Sequence, residues 1–222
     1  MIKKGIILAG GTGSRMSPVT KAVNKQLLPL YDKPLFYYPL SILMLAKIKD
    51  ILIVVNKGQV EQFKNVLPNG DNLGIKITYI EQEKPRGLPD AFIIGEKFIG
   101  NNSVALILGD NFFFGQSLTK KLIKCTKFSK GAKVFLHPVQ NPSLYGVAIV
   151  DKNNKIKNII EKPKKPKSNL AVTGLYFFDN KVIELSKSLK PSKRKEIEIV
   201  DLLKKYQFRK QLSAETLGRG GT

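Results

Sequence analysis

The sequence is poor in the residues that form disulfides, zinc sites and nucleophilic centres. Its 222 residues include no tryptophan, one cysteine and one histidine. The single cysteine, Cys125, excludes an intramolecular disulfide and fits a reducing cytoplasm. With one histidine, His137, the chain has neither a zinc-ligand spacing nor a Ser/His/Asp or Cys/His pattern. We therefore interpret both residues as structural.

Long apolar runs are also lacking. No run approaches the roughly 20 residues that a transmembrane helix needs. The chain begins Met1-Ile-Lys-Lys4 and continues directly into a strand pattern, so we expect no cleavable signal peptide. These observations predict a cytoplasmic protein without a membrane partner.

Acidic residues are scarce, with 17 against 38 basic ones and a net charge of +21. Such a balance makes nucleic acid a possible partner. However, the lysines are scattered, with local runs only at 162–167 and 190–195, and no nucleic-acid-binding motif accompanies them. We favour a solvated lysine-rich surface that attracts small anionic ligands, and keep nucleic-acid binding as the lesser alternative.

Apolar runs that alternate with amphipathic segments predict an α/β fold: a Rossmann-like, mostly parallel mixed sheet flanked by helices. The predicted strands are 5–9, 50–55, 75–81, 104–108, 133–136, 146–150, 156–161 and 171–178, and a further segment, 212–217, follows near the end without an assignment. The predicted helices are 37–48, 59–67, 88–98, 182–189 and 196–206. No linker separates the halves, so we expect one domain, residues 1–222. Because parallel strands bind ligands beyond their carboxyl ends, Gly10, Asn56, Gln82 and Asp110 are expected at one edge of the sheet.

A glycine-rich segment follows the first predicted strand. Gly10, Gly11 and Gly13 leave backbone N–H groups uncovered, an arrangement that suits phosphate, and Arg15 adds a planar set of donors. The spacing is neither the dinucleotide-binding nor the P-loop pattern. The alternative is a glycine-rich turn that binds nothing.

A carboxylate follows the fourth apolar strand. Asp110 comes directly after the run 104–108, in the segment Gly109-Asp-Asn111. A carboxylate at the carboxyl end of a strand, beside a phosphate-binding loop, is a suitable ligand for Mg²⁺. The alternative is an aspartate that only begins a turn.

Motifs along almost the whole chain resemble those of the sugar nucleotidyltransferases. The first are Leu-Ala-Gly-Gly-x-Gly-x-Arg at 8–15 and Lys-Gln-Leu-Leu-Pro at 25–29. Others lie at 82–88, 108–111, 145–147, 161–163 and 172–176. The resemblance is strongest to the thymidylyltransferases that make dTDP-glucose and pyrophosphate from dTTP and glucose 1-phosphate, with Mg²⁺, for dTDP-rhamnose and cell-surface polysaccharide synthesis.

The resemblance implies a nucleotide-binding part at 1–115, a sugar-phosphate-binding part at 116–222, and homo-oligomers. It implies nucleotide contacts from Leu8, Gly10, Gly11, Thr12, Gly13, Ser14, Arg15, Lys25, Gln26, Gln82, Gly87 and Asp110. It implies sugar-phosphate contacts from Asn111, Tyr145, Gly146, Glu161, Lys162, Val172, Tyr176 and Arg194. Arg15, Lys25, Asp110 and Lys162 are the implied catalytic residues, and Asp110 the implied metal ligand.

The residues alone leave simpler alternatives open. Without the resemblance, Lys25 is interpreted as an ordinary surface lysine, and Gln26 and Gln82 are interpreted as solvated loop residues. For the chain as a whole, the alternatives are a transferase of the same fold that uses another nucleotide or sugar phosphate, and a non-catalytic nucleotide-sugar-binding module.

The chain departs from the family pattern in three places. Lys195 stands where the family usually has glycine, and Pro89-Asp90 where it has a small residue and an amide. After Gly218-Arg-Gly220 the family continues with Trp-Leu-Asp-Thr-Gly-Thr, whose Asp is its second metal ligand, whereas this chain ends at Thr222. We therefore expect a truncated copy that lacks the second carboxylate, a central strand and the oligomer contacts, with weakened metal binding.

Overall fold

The computed structural model describes residues 1–11, 13–128, 130–152, 155–192 and 194–217, and the backbone of 220–221. Within these residues the strands are β1 Lys4–Ala9, β2 Pro29–Leu30, β3 Lys33–Pro34, β4 Asp50–Asn56, β5 Lys76–Gln82, β6 Val104–Leu108, β7 Phe114–Gly115, β8 Ala132–Pro138, β9 Gly146–Val150, β10 Ile156–Glu161, β11 Leu170–Phe178, β12 Leu212–Thr216 and β13 Gly220–Gly221. The helices are α1 Val19–Ala22, α2 Tyr37–Leu45, α3 Val60–Val66, α4 Asp90–Ile94, α5 Glu96–Ile99, α6 Leu118–Thr126, α7 Val182–Lys187 and α8 Ile199–Phe208.

Nine strands form one mixed sheet, with the order β10-β9-β11-β6-β1-β4-β5 and with β8 and β12 joined to it through β11. β5, β4, β1 and β6 run parallel to one another. β11 pairs antiparallel with β6, β8 and β9, so the second half of the chain continues the same sheet. The predicted α/β fold, a mixed and mostly parallel sheet flanked by helices, is confirmed.

The central strands are buried on both faces, which explains their continuous apolar sequence. In β1, Ile7 belongs to the core on one side of the sheet and Ile6 to the core on the other. Phe36, directly before α2, and Phe63, within α3, pack on the first side. Phe92 of α4 packs on the second side. Within the described residues, no helix is long and apolar enough to cross a membrane.

Two predicted helices end or break earlier than expected. Residues 88–98 form two short helices that meet at Gly95, since glycine weakens a helix interior. The helix predicted to Ile48 ends at Leu45, where Lys47 adopts a φ of +63° and the Ile48 N–H donates to the Leu43 carbonyl. This is a standard helix C-terminal closure.

Two further differences concern α8 and α6. The helix predicted from 196 begins at Ile199, because the Ile197 N–H instead donates to the Arg86 carbonyl at 2.7 Å and Glu198 is extended. The sequence analysis did not predict α6, although its buried Leu118, Leu122 and Cys125 recur at helical spacing.

Candidate active site

Side-chain amides connect the carboxyl ends of β1, β4 and β5. Gln82 Nε2 donates to the Gly10 carbonyl at 2.5 Å and to Asn56 Oδ1 at 3.0 Å. Asn56 Nδ2 donates in turn to the Gly11 carbonyl at 3.2 Å. The side chains predicted to meet at this edge of the sheet therefore do so, and their hydrogen bonds hold the start of the glycine-rich loop in place.

Two residues that the sequence analysis did not single out fix the rest of this loop. Thr20 Oγ1 donates to the carbonyl of Gly13, which has a φ of +60°. Asn24, 3% exposed, donates to the Ala9 carbonyl at 3.0 Å and accepts from the Gln26 N–H at 2.8 Å. Asn24 thus ties the Lys-Gln-Leu-Leu-Pro motif to the end of β1. Thr12 lies outside the described residues.

A cavity of about 310 Å³ opens at this edge, and we call it the nucleotide cavity after the predicted nucleotide contacts that line it. It is lined by Leu8, Gly10, Gly11, Gln26, Gln82, Pro85, Gly87, Leu88, Leu108, Asp110 and Glu196. Seven of these are predicted nucleotide contacts. The other described ones, Gly13, Ser14, Arg15 and Lys25, lie outside the lining.

The two glutamines of this cavity are buried rather than solvated. Gln26 is 4% exposed and Gln82 is 5% exposed. Both N–H donors of Gln82 are used within the protein, so the group that it can offer a ligand is its carbonyl oxygen. Gln26 Oε1 is shielded from solvent and has no hydrogen-bond partner among the described residues.

Gly87 is required by a close backbone contact. Its φ is +110°, and a Cβ added there would lie 2.1 Å from the Ile197 carbonyl oxygen. Through this contact the segment before α8 closes the cavity, and Glu196 becomes part of its wall. The sequence analysis missed Glu196 as a lining residue because the two segments are about a hundred residues apart along the chain.

Lys25 reaches the site through Asp110. Its Nζ lies 2.7 Å from Asp110 Oδ2, while Asn111 Nδ2 donates to Asp110 Oδ1 at 3.2 Å. Both side chains of the ion pair are about one-third exposed, and Asp110 is the one that lines the cavity. The pair leaves a cation and a carboxylate facing the space beside the glycine-rich loop.

Asn111 also borders a second cavity, of about 590 Å³, which we call the sugar cavity after the predicted sugar-phosphate contacts in its lining. Asn111 Oδ1 accepts from the Gly174 N–H at 3.1 Å, and a Cβ at Gly174 would lie 2.3 Å from that oxygen. The lining residues are Leu108, Asn111, His137, Pro138, Val139, Gln140, Asn141, Leu144, Tyr145, Ala171, Val172, Thr173, Gly174 and Tyr176. Leu108 borders both cavities, so they adjoin.

The sugar cavity contains both predicted and unpredicted residues. Asn111, Tyr145, Val172 and Tyr176 were predicted, and Tyr176 is 4% exposed with its pKa raised by burial. His137 was interpreted as structural, yet it lies in the wall. The sequence feature that could have indicated this position is that His137 directly follows the predicted strand 133–136.

The remaining predicted sugar-phosphate residues lie outside this lining. A Cβ at Gly146 would lie 3.3 Å from Glu161 Oε2. Arg194 Nη2 lies 2.7 Å from Glu198 Oε2 and 3.4 Å from Glu161 Oε1. No described residue lies within ion-pair distance of Lys162 Nζ, whose residue has a φ of +42°.

The carboxylates around Arg194 differ in their acidity. Burial, and then the negative charge of Glu198, raise the pKa of Glu161 above the ordinary glutamate value. Burial acts in the same direction on Glu198, but hydrogen bonds from Arg194 and Ser192 outweigh it and lower the pKa of Glu198.

Comparison with known proteins agrees with this geometry. A family model described as nucleotidyl transferase matches residues 4–221. A glucose-1-phosphate thymidylyltransferase of Neisseria meningitidis serogroup A is 52% identical over 217 residues, which are 98% of this chain and 75% of that protein. A crystal structure from Bacillus anthracis, provisionally assigned as a glucose-1-phosphate thymidylyltransferase and determined with sucrose, has a TM-score of 0.90 at 42% identity, covering 98% of this chain and 87% of its own.

A second solved structure also matches the whole chain. The structure of a UDP-glucose pyrophosphorylase complexed with UDP-glucose has a TM-score of 0.86 at 30% identity, and the match covers 100% of this chain and 92% of that one. The extent of the family match, together with the relatives at 42–52% identity over 98% of the chain, settles the family. This chain belongs to the nucleotidyl transferase family.

Proposed function

We propose that this chain transfers the thymidylyl group of dTTP to glucose 1-phosphate and forms dTDP-glucose and pyrophosphate. The observation that carries the proposal is the pair of adjoining cavities at one edge of the sheet, with Asp110 and Asn111 beside their shared wall. The continuous sheet beneath both cavities supports a single domain with a nucleotide part and a sugar part. The thymidylyltransferases among its relatives support the choice of substrates.

The hydrogen bonds of Gln82 support a thymine or uracil base. Because both of its N–H groups are engaged by Gly10 and Asn56, only its carbonyl oxygen is left to accept a hydrogen bond from the base. Thymine and uracil carry an N–H at ring position 3, whereas cytosine carries a lone pair there. Gln26 and the backbone beside Gly87 complete the contacts that we propose for the base.

The phosphates are proposed to lie along the glycine-rich loop, from Gly10 and Gly11 towards Ser14. The loop supplies backbone N–H groups, and Arg15 and Lys25 neutralise the phosphate charge. Lys25 already sits in this region, 2.7 Å from Asp110. We propose that Lys25 exchanges Asp110 for phosphate oxygens when the nucleotide binds.

Asp110 fits a magnesium ion. It is a partly exposed carboxylate that already attracts a cation, the Lys25 ammonium group. Within the described residues no group of three or more acidic, histidine or cysteine side chains could hold a metal. Mg²⁺ does not need such a group, since it is commonly held by one or two carboxylates, substrate phosphates and water. Bound by Asp110, the ion would supply charge neutralisation at the phosphates.

The sugar phosphate is proposed to place its ring in the sugar cavity and its phosphate near Lys162 and Arg194. Glu161, beside Gly146, would accept hydrogen bonds from ring hydroxyls, with Tyr145, Val172 and Tyr176 as walls. A phosphate oxygen of the sugar phosphate then attacks the α-phosphorus of the nucleotide in line, and the bond from that phosphorus to pyrophosphate breaks. The protein positions the two phosphates and neutralises their charge, and no covalent intermediate is needed.

The reaction tests the proposal directly. Purified protein with Mg²⁺, labelled dTTP and glucose 1-phosphate should produce dTDP-glucose and pyrophosphate in equal amounts. Arg15→Gln and Asp110→Asn should each lower kcat/KM about 100-fold, because each removes charge stabilisation at the phosphates. Arg209→Gln and Asp71→Asn are matched controls at exposed positions outside both cavities and should retain activity. Absence of product with the unmodified protein would refute the proposed activity.

A uridylyltransferase is the second candidate. The UDP-glucose pyrophosphorylase neighbour favours it, as does the Gln82 oxygen, which cannot separate thymine from uracil. Competition between labelled dTTP and UTP distinguishes the two, and we expect the larger kcat/KM for dTTP. Tight binding of dTDP-glucose without turnover would indicate a binding module, and salt-sensitive retention on DNA a nucleic-acid binder.

A further inference from the structure

His137 lies where the sheet opens to form the sugar cavity. It is the second-to-last residue of β8 and pairs with Ala171 of β11. The next pair joins Leu136 to Val172, and beyond it the register between the two strands shifts between Val172 and Tyr176. Both of these residues line the sugar cavity, together with His137 itself. The imidazole therefore borders the sugar cavity close to this register shift.

The two nitrogens of this ring have different surroundings. Nδ1 is shielded from solvent and has no hydrogen-bond partner among the described residues. A proton on Nδ1 would bury an N–H donor without an acceptor, which is more costly than burying a lone pair. The tautomer that carries its proton on Nε2 avoids this cost, and in that tautomer Nε2 is the ring nitrogen that can donate to a ligand.

The residues that line the cavity indicate which kind of ligand group would accept a hydrogen bond from His137. The described lining residues include no lysine, arginine, aspartate or glutamate, but several neutral polar ones, among them Asn111, Gln140 and Thr173. The cations proposed for the phosphates, Lys25, Lys162 and Arg194, all lie outside the lining. A neutral polar cavity suits the hydroxyl-bearing ring of a sugar, with its phosphate at the charged rim.

We infer that His137 contacts the substrate by donating a hydrogen bond from Nε2 to a hydroxyl oxygen of the hexose ring. The inference rests on the proposed function and adds a specificity-determining residue to it. His137 thereby favours hexose phosphates that carry a hydroxyl at the contacted ring position over those that lack it.

Two substitutions test the contact. His137→Leu removes the donor and should raise the KM for glucose 1-phosphate about three- to tenfold, the range for one lost neutral hydrogen bond. The KM for dTTP should not change, because His137 does not line the nucleotide cavity. His137→Gln retains a donor and should restore most of the affinity. Equal rises in both KM values, or an unchanged KM for glucose 1-phosphate, would overturn the inference.

Deoxygenated substrates locate the contact. Among 2-, 3-, 4- and 6-deoxyglucose 1-phosphate, one should bind the unmodified protein and His137→Leu equally well, while the other three lose affinity in the variant. A uniform loss over the series would show a structural role instead. Unchanged thermal unfolding confirms that the variants fold.

Calorimetric titration of glucose 1-phosphate separates this inference from the proposed reaction. If the unmodified protein binds glucose 1-phosphate but forms no dTDP-glucose, the reaction is refuted, and the comparison with His137→Leu still decides whether His137 makes the contact. If glucose 1-phosphate does not bind the unmodified protein at all, the inference is overturned.

Discussion

Single residues at this site act through neighbours that shift their charge or hold their position. Glu161 is the clearest case, because burial and the charge of Glu198 raise its pKa. Its proposed role is to accept hydrogen bonds from sugar hydroxyls, for which the ionised form is the stronger acceptor. The ionised fraction of a carboxylic acid decreases as the pH falls through its pKa. A raised pKa therefore moves the loss of sugar binding to higher pH.

We predict that kcat/KM for glucose 1-phosphate falls on the acid side at a pH above the ordinary glutamate pKa. Glu161→Gln should lower kcat/KM at neutral pH and remove the part of the decrease at acid pH that comes from this carboxyl group. Glu198→Gln should shift that part to lower pH, since a neighbouring negative charge is lost. The measurement is kcat/KM for glucose 1-phosphate from about pH 4 to about pH 8. The substrate phosphate titrates at about pH 6 and contributes equally for every variant. The same decrease of kcat/KM at acid pH in the unmodified protein and in Glu161→Gln would contradict the prediction.

A second residue-scale prediction concerns stability away from the cavities. The fully buried Tyr206 donates to Asp179 Oδ1 at 2.7 Å, and Asp179 Oδ2 accepts from the Gly131 N–H at 2.7 Å. Tyr206→Phe should lower the free energy of unfolding by about 1.5–3 kcal/mol, the value for a hydrogen bond to a charged group. Tyr37→Phe, which loses a longer bond to the Val66 carbonyl, should change it by less than about 0.5 kcal/mol. Urea unfolding measures both, and equal losses would contradict the argument.

At the scale of elements, the strand ends and the loop after β1 act as one unit. A Cβ at Gly10 would lie 2.1 Å from Gln82 Nε2, whereas a Cβ at Gly11 meets no atom within 4 Å. Gly10→Ala should displace Gln82 and cost about 1–3 kcal/mol of stability by overpacking, with a higher KM for dTTP. Gly11→Ala should leave the free energy of unfolding nearly unchanged. The pair is compared by thermal unfolding and by dTTP kinetics, and a stable Gly10→Ala with unaltered KM would show that Gln82 is not held as described.

The same elements show how far the sequence predicts the structure. β6 and β9 occur at the predicted residues, and β1 and β4 within one residue, because doubly buried strands give unbroken apolar runs. The rule that parallel strands present their carboxyl ends at one edge predicted that Gln82 would lie beside Gly10. Contacts between distant segments were not predictable in this way. Glu196 enters the nucleotide cavity only because the segment before α8 packs on Gly87.

At the scale of the whole molecule, the dominant property is a net charge of +21 on a chain proposed to bind two anionic substrates. Long-range attraction by such a charge accelerates the encounter with anions and weakens as salt screens it. Part of the charge lies far from the candidate site. Lys3, Lys47 and Lys49 border a cavity at the opposite edge of the sheet, near the amino ends of the parallel strands.

We predict that raising the NaCl concentration from about 50 to about 500 mM lowers kcat/KM for dTTP roughly three- to tenfold. At saturating substrate kcat should change much less, because encounter then no longer limits the rate. Neutralising Lys3, Lys47 and Lys49 together with glutamine should reduce the salt dependence without altering kcat, since these residues act only through the long-range field. Steady-state kinetics at constant free Mg²⁺ measure the slopes. If the triple variant shows the same dependence of kcat/KM on NaCl as the unmodified protein, only cations beside the phosphates, such as Lys25, affect the encounter.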